Sequence, residues 1–166
     1  MTIDHGDITM IASGQDASSN PATANTLSPH VLATPRAFIL AGKAIFTLVG
    51  ASNRYTFKVS HKEASDSYAE AYFVSLLTGP ENTSDYTYLG MLDADGQVRL
   101  TGKSSYRDDS APVRAIRWAF KHIWAGKALP APAAILHAGR CGRCGRTLTV
   151  PESIASGFGP ECLGKL

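Results

Sequence analysis

The feature that most constrains this chain is the placement of its three cysteines. None occurs in the first 140 residues; they stand at 141, 144 and 162, preceded by His137. The pattern is His137-x3-Cys141-x2-Cys144-x17-Cys162. An odd count without an export signal argues against a disulfide framework and for thiols that act as ligands. Zinc takes four tetrahedral sulfur or nitrogen ligands, and His137 with the three cysteines supplies four. In Cys141-Gly142-Arg143-Cys144-Gly145-Arg146 the glycines let the backbone turn until both thiolates face one ion, the shape of a zinc knuckle. Gly157-Phe158-Gly159-Pro160-Glu161-Cys162 reads as a tight turn into a short helix whose first turn delivers the last thiolate. With a strand over residues 147–150, these pieces describe a treble-clef-like element. It has few large apolar side chains (Ile135, Leu136, Leu148, Val150, Ile154, Phe158), so a metal is expected to fold it.

Two other chemistries use the same residues. A redox Cys-x-x-Cys wants a thioredoxin-like βαβ context, which this chain lacks, and leaves Cys162 unexplained. A catalytic zinc keeps one coordination position open. If His137 does not bind, three thiolates and a water remain, with Glu152 or Glu161 as the base.

Upstream the texture falls into two parts. Residues 12–30 hold no aromatic residue and one branched aliphatic, Leu27. Such a stretch buries too little to offset its ordering entropy, so residues 1–35 read as a flexible tail closed by Pro35. From Phe38 apolar runs begin, at 38–40 and 44–49, split by Gly42. Residues 54–60 alternate cleanly, with Tyr55, Phe57 and Val59 on one face, which is a half-buried strand. Residues 72–77, 86–92 and 97–101 complete about five strands, and Asp95-Gly96 marks a hairpin whose two central residues want positive φ. One helix follows: Ser110 as cap, Pro112 in the first turn, Gly126 as terminator. Val113, Ile116, Phe120, Ile123 and Trp124 form its apolar stripe. The expected class is α+β, an antiparallel sheet carrying one amphipathic helix and a C-terminal zinc knuckle. The expected units are 1–35 (tail), 36–128 (sheet and helix) and 129–166 (zinc element packed on them).

Charge divides the chain. Residues 1–98 hold five Lys/Arg against ten Asp/Glu, a balance of −5; residues 99–166 hold eleven against four, a balance of +7. The basic half points to an anionic partner. Arg114, Arg117 and Lys121 line the helix with Trp118 beside them, and Arg140, Arg143 and Arg146 recur around the knuckle. With Lys103 and Arg107 they make a candidate phosphate-contacting surface, and Trp118 or Tyr106 can stack on a base. The plain alternative is a solvated helix face and arginines that neutralise a zinc–thiolate centre. Gly102-Lys103-Ser104 lacks the glycine spacing and the strand-to-helix context of a P-loop. Asp93-x-Asp95-Gly96 has too few oxygens for a calcium loop. His61, Glu63 and Asp66 could bind a metal, although a solvated loop accounts for them as well.

The run from His137 to Cys162 resembles the C-terminal signature of an uncharacterised family, common in bacteriophages and prophages, known as a domain of unknown function. Phe38-Ile39-Leu40-Ala41-Gly42, Phe46-Thr47-Leu48-Val49, Leu77-Thr78-Gly79-Pro80-Glu81-Asn82 and Tyr86-Thr87-Tyr88-Leu89-Gly90 extend the likeness to about residues 37–166. The resemblance implies a phage-type, cytoplasmic zinc protein and brings no activity with it. The leading expectation is a non-enzymatic zinc protein that binds DNA or RNA. A second is an anti-defence protein that inhibits a host nuclease complex, using the acidic residues Glu63, Asp66, Glu70, Glu81, Asp85, Asp93 and Asp95 as phosphate mimics. A third is a metal-dependent enzyme acting on nucleic acid. No membrane partner is expected, since no apolar run approaches the ~18–20 residues of a span, and the oligomeric state stays open.

Overall fold

The computed structural model describes residues 30–166. Of the tail expected over residues 1–35, residues 1–29 lie outside the described residues. In chain order the elements are β1 (His30–Val31), α1 (Pro35–Ile39), β2 (Lys43–Val49), β3 (Arg54–Lys62), β4 (Ala71–Leu77), β5 (Tyr86–Leu92), β6 (Val98–Arg99), α2 (Ala111–Trp124), β7 (Ala134–His137), α3 (Pro151–Ser156) and α4 (Pro160–Leu163). The strands form one antiparallel sheet in the order β1-β7-β2-β3-β4-β5-β6.

Seven strands replace the expected five. The two additions, β1 and β7, are two and four residues long, too short to show a period of two. Residues 30–35 therefore leave the expected tail: His30 and Val31 pair with His137 and Leu136, and Leu32 is 5% exposed. The apolar run at 38–40 is also not a strand. Pro35 presets φ for a first helical turn, and α1 follows, burying Phe38 and Ile39. Residues 147–150 contribute one isolated bridge, Arg140 to Thr147, in place of a strand.

Alternation sorts each strand into two faces. Ala44, Phe46 and Leu48 of β2, Phe57 and Val59 of β3, and Val74 and Leu76 of β4 point one way and are buried. Val113, Ile116, Ala119, Phe120 and Ile123 of α2 close over them. Phe46 lies 5.9 Å from Phe57 and 6.1 Å from Phe120, ring centre to ring centre, so sheet and helix share one aromatic contact line. Full burial of each such ring contributes about 1.5–3 kcal/mol.

The β5–β6 hairpin forms as expected, but only Gly96 takes positive φ (+79°). Asp93 accepts the Gly96 N–H at 2.9 Å through its carbonyl. Trp124 explains the glycine: a Cβ at 96 would come within 2.4 Å of its ring, and its indole N–H donates to the Ala94 carbonyl at 2.8 Å. α2 thus ends by clamping the hairpin. No helix of the described residues is long and apolar enough to cross a membrane.

Candidate metal centre

The knuckle is built by backbone geometry that only glycine tolerates well. Gly139 and Gly145 sit at φ +67° and +79°, flanking the loop that carries Cys141 and Cys144. Within it the Cys141 N–H donates to the Arg146 carbonyl, and the Gly145 N–H donates to the Cys141 carbonyl, both at 2.9 Å. α3 stops at Gly157 (φ +78°), whose N–H caps the Ser153 carbonyl, and the chain turns through Gly159-Pro160 into α4. Cys162 stands in that short helix.

These elements bring three ligand atoms together. The sulfurs of Cys141, Cys144 and Cys162 all lie within 4.8 Å of one another. Cys141 is buried, Cys162 half-buried and Cys144 exposed. Burial pushes the Cys141 thiol up, but the backbone N–H groups of Cys144, Gly159 and Arg143 outweigh it and bring it down to about 7. Desolvation, followed by the neighbouring Cys144 and Cys141 sulfurs, pushes Cys162 up to about 11. The Cys141 sulfur is prepared as a thiolate while Cys162 resists further charge, which is the electrostatics of a site that suits a cation. Soft thiolates at this separation fit a tetrahedral ion held at ~2.3 Å from each sulfur. A cavity of about 260 Å³ adjoins the cluster, lined by the three cysteines with Arg146, Ser153 and Glu161 among others; Glu152 does not line it.

His137, expected as the fourth ligand, does not join the cysteines. It faces the core, 3% exposed, and its Nε2 donates to the Ile154 carbonyl at 2.8 Å. Phe38 and His30 lie against its ring at 5.4 and 5.6 Å. Desolvation lowers its pKa, only partly offset by the Ile154 carbonyl, so the imidazole stays neutral. It is a strut between β7 and α3.

Phe38 is the residue that sequence reasoning missed. A Cβ at Gly142 or Gly157 would approach its ring within 2.8 and 2.6 Å, and Phe158 lies 6.0 Å away. The Lys43 N–H also donates to the Gly142 carbonyl at 2.8 Å. The cysteine element is therefore seated on α1 and β2, and the glycines at 142 and 157 serve that seat as well as the turn.

Part of the expected basic surface is committed to pairs within the protein. Arg117 is committed: its guanidinium reaches Asp108 at 2.7 Å and donates to the Val98 carbonyl at 2.8 Å, tying α2 to β6. Arg107 faces Asp109 at 3.8 Å. Trp118 is 40% exposed, with His122 against its ring. Lys103, Arg114 and Lys121 are exposed. The knuckle sits by β2, and Val98 lies four strands away in the sheet order, roughly 19 Å at ~4.8 Å per strand. Arg140, Arg143 and Arg146 are exposed around the knuckle; Arg143 donates to the Lys165 carbonyl at 2.6 Å.

An antiparallel sheet with helices on one face and a three-cysteine cluster seated at one side defines the architecture. Its C-terminal residues 131–166 match a family of unknown function (DUF6011), and the match does not extend over residues 37–130, where the resemblance had also been expected. No curated protein and no solved structure matches the chain.

Proposed function

We propose that this chain is a non-enzymatic, zinc-containing nucleic-acid-binding accessory protein of phage or prophage type. Cys141, Cys144 and Cys162 hold the zinc, in a treble-clef-like element that the ion stiffens. The observation that carries the reading is the set of three exposed guanidinium groups, Arg140, Arg143 and Arg146, around three thiols. None of the three forms an ion pair among the described residues. A divalent ion with three thiolates leaves a single negative charge, so one cation neutralises it. The remaining positive charge faces outward and suits phosphate.

Fluorescence anisotropy with short DNA and RNA, each single- and double-stranded, tests the reading. Binding that weakens steeply with salt is expected. No binding to any of the four probes at low salt discards it in favour of a protein partner.

A further inference from the structure

Among the described residues the helices cover one face of the sheet and leave the other open. On β2, β3 and β4 no outward-facing residue is buried, whereas Ala44, Phe46, Leu48, Phe57, Val59, Val74 and Leu76 on the inward face are. Every Lys or Arg on a strand occupies this open face: Lys43, Arg54, Lys58, Lys62 and Arg99. The strands contain no Asp or Glu at all. Among the described residues the acidic side chains stand outside the strands, and only Asp93 meets one of these cations, Arg99, at 2.7 Å.

Aromatic rings share the face. Strand pairing aligns Lys58 with Ser75 and Ser75 with Tyr88 in one row across β3, β4 and β5. Phe73 and Tyr88 form a tilted pair at 6.4 Å on one side of that row, and the Lys58 ammonium lies 5.4 Å from the Tyr86 ring on the other. A platform with rings at its centre and only positive charge on its strands is the chemistry that takes an unpaired polynucleotide strand. Bases stack on the rings while lysines and arginine take the phosphates. Duplex, with its bases paired, offers the rings nothing.

We infer that the open face of the sheet is a single-stranded nucleic-acid platform centred on Lys58, Tyr88 and Phe73. The inference rests on the nucleic-acid reading above and moves its principal contacts from α2 to the sheet. Lys43 joins the two regions, because it lines a cavity of about 680 Å³ together with Arg143 of the knuckle. Four cations, Lys43, Arg54, Lys58 and Lys62, imply a log–log salt slope of about −3 for a single strand.

The test is anisotropy with labelled oligo-dT and oligo-U, and with a duplex of equal length, on the full chain. The account expects single strands to bind better than duplex. Lys58→Glu should weaken single-strand binding roughly tenfold and flatten the slope by at least ~0.7. Tyr88→Ala should cost about tenfold, and Tyr88→Phe should restore binding because the stacking ring returns. Thermal melts of each variant separate lost binding from lost folding; if Tyr88→Ala fails to fold, Lys58→Glu and Arg54→Glu, both at outward positions, still decide. Tighter binding to duplex, or binding that survives these changes and collapses in Arg140→Glu with Arg146→Glu, overturns the platform and leaves the nucleic-acid reading standing. A wild type that binds none of the probes removes both.

Discussion

The sheet with α2 and the cysteine element of residues 137–166 are held by different forces. In the sheet, Phe46, Phe57 and Phe120 meet ring to ring beneath a continuous layer of Val, Ile and Leu. In the cysteine element only Cys141, Leu148 and Phe158 are buried among its own apolar residues, and the rest is glycine turns, short helices and three thiols. Apolar burial grows with area and needs no partner from outside. A small element with little area needs a staple, here the ion its sulfurs suit, and a seat, here Phe38. On the proposed reading the first region is a scaffold indifferent to chelation, and the second is an element that metal stiffens.

That contrast breaks or holds under substitution. Phe120→Ala, which empties the centre of the sheet–helix layer, should destabilise the whole protein by about 3–5 kcal/mol, read by denaturant unfolding. Removing residues 1–34 takes away β1 and Leu32 and should lower the melting temperature clearly, whereas removing residues 1–29 leaves both in place. Equal melting temperatures for the two truncations would contradict the stabilising role given to β1 and Leu32. Gly157→Ala, strained at positive φ and pressed against Phe38, should cost about 1–3 kcal/mol, with hydrogen-exchange protection lost in residues 137–166 before the sheet. If protection falls equally in both regions, the two are one cooperative unit and the comparison fails.

The smallest effect concerns pH. In the chelated protein Cys141, brought down to about 7, binds fewer protons folded than unfolded. Its contribution is present above the ordinary thiol range and is lost as pH falls through about 7. Cys162, pushed up to about 11, acts in the opposite sense: its contribution is present below the ordinary thiol range and is lost as pH rises through about 11. From these two groups metal-free stability should rise from pH ~7 to ~9 and decline from ~9 to ~11, measured by thermal melts. With metal bound the thiolates are already fixed, and that pH dependence should flatten.

How much of this was legible beforehand varies with the length scale of the signal. The strand over Arg54–Lys62 announced itself because seven residues of alternation leave one reading. β1 and β7 did not, since strands of two and four residues are defined by their neighbours. The cysteine spacing gave the three-sulfur cluster, for which turn chemistry is local. It misassigned His137, whose place depends on Phe38 and on the Ile154 carbonyl, neither of which is near it in sequence. Arg117 shares a helical stripe with Arg114 and Lys121 in the sequence, yet it is bound by Asp108 and β6. The basic open face was hidden because a half-chain charge sum adds loop carboxylates to strand lysines that point elsewhere.

The central claim is that three cysteines, without His137, hold one ion. Metal analysis of the purified protein, run in parallel on Cys144→Ser and His137→Ala, tests it most directly. The account predicts about one zinc per chain in the wild type, its loss in Cys144→Ser, and its retention in His137→Ala despite lower stability. A folded wild type with three free thiols and no metal would contradict it, as would a folded His137→Ala that has lost the ion.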